Sequence, residues 1–216
     1  ARLVPLLLLA GLAILLSGCE VFSSPQNTFA PEGTVAERQK DDFLLVMWPA
    51  LAIMILVLGG VVFIALKFRR QSDDPGLPKQ VHGNTPLELT WTILPAVLLA
   101  VIAVPTLTGI TDLGRAPRAH ALQVTVVGQR FSWDFSYTGA DGVDGQPLFA
   151  PPNELRIPVD REVGLDIRSI DVNHSFWVPK LAGKTDAIAN HPNRMWIKGT
   201  KVGTYAGQCA EFCGEN

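Results

Sequence analysis

Two stretches of this chain run without a charged side chain for longer than a soluble fold tolerates, and they constrain everything else. Residues 43–66 are uncharged between Asp41-Asp42 and Lys67-Phe68-Arg69-Arg70, and residues 89–111 are uncharged between Glu88 and Asp112. A helix needs about 20 apolar residues to cross the hydrocarbon of a bilayer, so each block is long enough to span. Two such blocks joined by a short loop predict a membrane α-helical hairpin rather than buried helices of a soluble protein. Pro49 is expected near the start of its helix, where a missing amide costs little, while Gly59-Gly60 permits close packing. Pro95 and Pro105 are expected to bend the second helix. The connecting segment 67–88 carries Lys67, Arg69, Arg70 and Lys79. Basic loops stay on the cytoplasmic side. Whatever follows Asp112 is therefore expected outside.

A third apolar run, residues 3–17, is too short for a comfortable span and follows a basic Arg2. A basic start, an apolar run and a small-residue site describe a secretory signal. The tetrad Leu16-Ser17-Gly18-Cys19 resembles the lipobox of bacterial lipoproteins. That resemblance implies a signal peptide over 1–18 and a lipidated Cys19. An ordinary signal with a chance cysteine is the plainer explanation. Residues 19–42, whose stretch from Val21 to Gly33 contains Ser, Pro, Asn and Gly, are expected to form an exported tether.

The rest, 112–216, reads as an exported all-β domain. Partial alternation of apolar and polar residues predicts strands near 122–127, 130–137, 154–158, 163–169, 175–178, 194–198 and 203–208. Turn-forming clusters at 139–145 and 151–153 separate them. Short strands at this spacing argue for a sandwich or barrel. A formal net charge of -2 gives no footprint for nucleic acid.

The chemistry concentrates in two short segments. One is Gly207-Gln208-Cys209-Ala210-Glu211-Phe212-Cys213-Gly214, whose two thiols can converge from a single loop. Soft thiolates favour copper or zinc, and an exported location equally permits a disulfide. The other is Asp171-Val172-Asn173-His174-Ser175-Phe176-Trp177, with a lone histidine at the mouth of a strand. Alone, such a histidine is more often a hydrogen-bonded structural residue than a ligand.

Together the two segments resemble the cytochrome c oxidase subunit II family. Its members carry Cys-x-x-x-Cys-Gly-x-x-His-x-x-x-Met and a second histidine from the earlier segment. Asn84, Leu87, Glu88, Trp91, Thr92 and Pro95 match the second membrane helix of that family, so the likeness runs through residues 40–216. The resemblance implies a cupredoxin-like Greek-key barrel holding a dinuclear copper centre, copper A. Cys209 and Cys213 would bridge two coppers, His174 would bind one, and the backbone carbonyl of Glu211 would be a weak ligand of the other. The remaining histidine and methionine are expected beyond Asn216. The Glu211 side chain and Asp186 would lie near a magnesium ion shared with oxidase subunit 1. Glu88 would stand at the entrance of a proton path shared with that subunit. Family members place tryptophan at the position of Phe131, or an aromatic at Ser132, as the electron entry. Here Phe131 and Trp133 are the aromatics available, and barrel packing is the plainer role for Trp133.

The function implied is electron transfer. Cytochrome c would donate to copper, and the electron would pass to haem held only by subunit 1, where oxygen is reduced and protons are pumped. Subunit 3 is a further expected partner, and the bacterial cell membrane the expected location. The related quinol oxidase subunit keeps the fold without copper, and Cys209 and Cys213 argue against it. A copper-A-bearing nitric oxide reductase subunit is a competing function, as is a membrane-anchored copper-binding or assembly protein. The match in the second helix speaks against an assembly factor.

Overall fold

The computed structural model describes residues 11, 24–69, 80, 82–138 and 151–214. The signal-peptide and lipidation readings on residues 1–18 and Cys19 lie outside the described residues, as do Arg70, Lys79 and the turn at 139–145. The chain divides into a helical unit, Asp41–Thr111, and a unit made of Ala1–Lys40 with Asp112–Asn216.

Both uncharged blocks are helices. The first, α1, spans Thr34–Lys67, and the second, α2, spans Thr85–Leu113. At about 1.5 Å per residue both exceed the roughly 30 Å hydrocarbon thickness of a bilayer. Leu56, Ile64, Leu94 and Leu99 are exposed, as are most other large apolar side chains of both helices. A helix apolar on all sides needs lipid or partner helices around it.

The helix α1 begins nine residues before the apolar block, which moves Pro49 from the first turn to the interior. Its ring leaves the carbonyl of Leu45 without the usual amide donor. The early start has a packing cause. The Thr34 amide donates to Lys198 O (3.1 Å), the Ala36 amide to Leu181 O (3.2 Å), and Val35 and Ala36 are buried. Just upstream, the Glu32 amide donates to Lys180 O (2.8 Å), and the Thr200 amide and hydroxyl both donate to Glu32 O. Residues 32–36, within the segment expected to be an exported tether, are therefore pinned to the β-domain by main-chain bonds.

The β-domain has two sheets among the described residues. One has the order β2-β1-β3-β6, from Ser132–Thr138, Leu122–Gln129, Val163–Ser169 and Asn193–Ile197. The other has the order β5-β4-β7, from Thr185–Ala187, His174–Trp177 and Gln208–Cys209. The strand β1 pairs antiparallel with β2 and parallel with β3, and β6 returns antiparallel to β3. Alternate residues Leu122, Val124 and Val126 of β1 and Val163, Leu165 and Ile167 of β3 are buried. They meet Phe176, Leu181, Ala187, Trp196 and Ile197 in one core. A period of two with one face buried fixes the register, because a one-residue slip would turn every valine outward.

Residues 154–158 form no strand. Leu155 and Ile157 do pack against the core, but the Tyr137 hydroxyl accepts from the Arg156 amide and donates to the Arg156 carbonyl, both at 2.9 Å. A side chain thus takes the place of a strand partner, and Pro158 has no amide to offer. Residues 203–208 are strand only at Gln208, and the three-residue β5 carries too little pattern to announce itself.

Where the chain leaves α2, Arg115 makes a two-pronged ion pair with Glu162 (2.9 and 2.7 Å), and its guanidinium lies 4.1 Å from the Trp196 ring centre. The Arg118 amide also donates to Glu162, at 2.7 Å. The Arg115 bond, aided by the Arg118 amide and partly offset by burial, lowers the Glu162 carboxyl to about 2. Its folded-state value lies below its unfolded one, so the stabilisation is complete above about pH 4.5 and is lost as pH falls through about 2. Glu162→Gln is expected to remove on the order of 3 kcal/mol of that pH-dependent stability. Urea unfolding of the detergent-solubilised chain, followed by tryptophan fluorescence between pH 6 and pH 2, checks this: the variant's midpoint should vary much less than that of the wild type.

Candidate metal centre

The site is built by β4 and its two-residue partner β7. Antiparallel pairing sets Phe176 opposite Cys209 and Trp177 opposite Gln208. The Ala210 amide then donates to Ser175 O (3.0 Å), carrying the ladder one step further. These bonds bring Cys209 alongside the start of β4, where His174 is buried. The Cys209 sulfur lies 3.9 Å from His174 Nδ1 and 3.8 Å from the Cys213 sulfur. The three ligand atoms lie within 4.8 Å of one another.

Both cysteines are free thiols. A disulfide needs its sulfurs about 2.05 Å apart, so this arrangement is two separate soft donors facing one imidazole. Burial, followed by the neighbouring Cys209 sulfur, raises the Cys213 thiol above its usual range. A softer partner than a proton would offset that cost, and thiolates with imidazole suit copper or zinc. The residues present fit a thiolate-bound metal. The Glu211 carbonyl also approaches Cys209 Sγ, at 3.9 Å, whereas its carboxylate accepts from the Phe212 amide at 2.8 Å. Gly214 closes the loop at φ +139°, a conformation that favours glycine after the second cysteine.

The histidine is held from behind. Asp171 Oδ1 lies 2.8 Å from His174 Nε2. The same carboxylate accepts from the amides of Arg130 (2.9 Å) and Val172 (2.7 Å). The His174 contact, then the Arg130 amide, hold the Asp171 carboxyl far below the usual range. Trp133 stands edge-on to His174, with centroids 5.8 Å apart, and to Phe176 at 5.4 Å. Packing against His174 is thus what Trp133 does, while Phe131 is half exposed.

Two residues of this site escape a reading of the sequence. Asp171 lies three positions before the histidine, in a loop where no periodicity marks it. Gly128 lies in β1, and a Cβ there would come within 3.0 Å of both His174 Cδ2 and the Trp133 ring. An isolated glycine inside a strand pattern is the usual sign of such a close approach. The remaining predicted residues lie apart from the trio. Asp186 is exposed on β5, opposite Ser175. Glu88 is exposed in the first turn of α2, where Oε1 accepts from the Asn84 amide (3.1 Å) while Asn84 Oδ1 accepts from the Leu87 amide (3.2 Å). That exchange is a reciprocal N-terminal cap.

Comparison with known proteins finds two family matches that divide the chain between them. Residues 28–108 match the family described as cytochrome c oxidase subunit II, transmembrane domain, and residues 122–216 match its periplasmic domain. Cytochrome c oxidase subunit 2 of Alkalihalophilus pseudofirmus is 36% identical over 99% of this chain and 61% of its own length. Quinol oxidase subunit 2 of Bacillus subtilis is 35% identical over 99% of this chain and 66% of its own length. The chain thus spans less than two thirds of these relatives. The crystal structure of the periplasmic domain of cytochrome oxidase subunit II from Bradyrhizobium japonicum is similar at TM-score 0.40 and 30% identity, covering 47% of this chain and 79% of that one.

Gly128→Ala is expected to push His174 and Trp133 apart by a few tenths of an ångström. Overpacking of this kind costs about 1–3 kcal/mol. The thermal midpoint should fall, and copper bound per chain, measured by atomic absorption after reconstitution, should fall with it.

Proposed function

This chain belongs to the cytochrome c oxidase subunit II family, and from that premise we propose that it is the electron-entry subunit of a copper-A-type cytochrome c oxidase. Membership makes it a component of an oxidoreductase complex that assembles with other oxidase subunits. It is membrane-anchored, with two helices able to span and an external C-terminal domain. The donor, the metal and the residue roles are our reading.

The single observation that carries the reading is the convergence of Cys209, Cys213 and His174. Overall similarity does not separate the cytochrome c and quinol branches, since 36% and 35% identity are equivalent. A quinol-fed subunit without metal has no use for two unjoined thiols aimed at a buried imidazole. The residues of this chain that would hold the metal are Cys209, Cys213, His174 and the carbonyl of Glu211. A bound copper pair supplies one-electron exchange between a soluble donor such as cytochrome c and the haem of subunit 1.

The chain's own residues prepare that exchange. Pairing of β4 with β7 fixes the Cys209 sulfur relative to the histidine before metal arrives, which reduces the ordering cost of binding. Trp133, itself backed by Phe176, packs against buried His174, so that side chain stays in a low-dielectric setting. Phe131 offers an exposed aromatic edge near Gly214, suited to contact with a donor protein. Glu211 and Asp186 are exposed carboxylates for the edge of a magnesium site shared with subunit 1. Glu88 would take up protons at the mouth of α2, and its bond to Asn84 would hold the carboxylate there in the meantime.

The test is electron paramagnetic resonance on the copper-loaded full-length subunit. A mixed-valence dinuclear spectrum is expected and should vanish in Cys209→Ser and Cys213→Ser. A wild-type subunit that takes up no copper, in an oxidase complex turning over quinol but not reduced cytochrome c, would establish the quinol branch instead.

A further inference from the structure

One carboxylate in the domain is engaged from three directions, and two of them bear on the metal centre. Asp171 Oδ1 meets His174 Nε2 at 2.8 Å, and the same oxygen accepts from the Val172 amide at 2.7 Å. Asp171 Oδ2 accepts from the Arg130 amide at 2.9 Å and lies 3.4 Å from Arg130 Nε. Ser169 ties the loop back: its hydroxyl accepts from the Asp171 amide at 3.2 Å and donates to Val172 O. The carboxylate is thereby fixed in position before it touches the histidine.

An ionised carboxylate only accepts hydrogen bonds. In the neutral ring, its contact with Nε2 therefore places the single imidazole proton on that nitrogen and leaves Nδ1 with its lone pair. Nδ1 is the atom that faces Cys209 Sγ, at 3.9 Å. Neutral imidazole binds metal through its bare nitrogen, and the partner of the other nitrogen decides which one is bare. The ring has little freedom to choose otherwise, since Trp133 stands against it and Gly128 leaves no slack on that side.

The second oxygen reaches a different element. Arg130 and Phe131 form the turn between β1 and β2, and Phe131 is the exposed aromatic beside the cysteine loop. The path from that turn to the imidazole runs through the Arg130 amide, one carboxylate and the histidine ring, across two short hydrogen bonds.

We propose that Asp171 is the positioning residue of this metal centre: it sets His174 in the Nε2-protonated tautomer so that Nδ1 ligates, and it locks the Phe131 turn onto the same imidazole. This rests on the metal-centre reading above for its functional meaning, although the tautomer it assigns belongs to the apo chain. The cysteines bind the metal, and Asp171 decides how the histidine presents itself.

Two variants separate the roles. Asp171→Asn keeps one acceptor oxygen of nearly the same shape but cannot accept from both the ring and the Arg130 amide. Asp171→Ala removes both contacts. In the full-length chain, nitrogen NMR of labelled histidine should report the Nε2–H tautomer at His174 in the wild type and a tautomer mixture in Asp171→Ala. Copper affinity should fall about 10- to 100-fold in Asp171→Ala, the usual effect of losing such an outer partner. Asp171→Asn should stay folded and bind copper, with changed nitrogen hyperfine coupling and a shifted reduction potential relative to wild type. A His174 tautomer unchanged in Asp171→Ala, together with an unchanged copper spectrum and potential in both variants, would overturn the assignment. Should wild type itself bind no copper, the electron-entry reading fails, while the tautomer measurement on the apo chain still judges Asp171.

Discussion

The centre depends on a very short piece of sheet. Two residues of β7, Gln208 and Cys209, pair with Trp177 and Phe176, and the Ala210 amide extends the ladder to Ser175. Net worth per backbone hydrogen bond is only about 1 kcal/mol, so these few bonds would not persist alone. They are held because β4 is itself braced on its other side by β5 and because Phe176 is buried in the common core. Core packing between the sheets thus sets the position of β4, β4 sets β7, and β7 sets the first thiol. Catalytic precision on a loop is usually poor. Here the loop starts from a strand whose register cannot slip without turning Phe176 out of the core.

The electrostatics follow the same division of labour. Three carboxylates, Glu162 buried, Asp166 half-buried and Asp171 exposed, have assigned partners on different structural elements. Glu162 takes Arg115 and the Arg118 amide where the chain enters the domain. Asp171 takes the histidine and the β1–β2 turn. Asp166, on β3, takes Arg168 at 2.5 Å and lies 3.8 Å from Arg194 on β6, and its carboxyl is lowered chiefly by the Arg168 bond. A single unpaired buried charge costs several kcal/mol, a cost that the donors around Glu162 avoid, and each of the three carboxylates marks where elements must meet.

Much of this is legible in the residues. The uncharged blocks announce both helices, because chemistry in a bilayer leaves no alternative to intrahelical hydrogen bonds. Alternation in Leu122 to Val127 and in Val163 to Ser169 marks the two central strands. The Cys209–Cys213 spacing and His174 stand out in the sequence as candidate ligands, and the fold brings all three together. What escapes has physical reasons. Composition sets Pro49 too close to the start of α1, because contact with Leu181 and Lys198 extends that helix and no local pattern shows such a neighbour. Residues 154–158 alternate like a strand, yet a phenol far off in sequence holds their backbone. Asp171 carries no periodic signature, since loop side chains are placed by tertiary bonds alone.

That phenol has a consequence for the solution behaviour of the domain. Among the described residues β2 is the outer member of its sheet, and residues 154–158 run near it with the apolar-polar rhythm that invites another chain to add on. By capping both the amide and the carbonyl of Arg156, Tyr137 withdraws the two groups a foreign strand would need first. A phenylalanine in its place would keep the packing and bare that pair at the rim. The defect would show as self-association of folded molecules, not as loss of the fold.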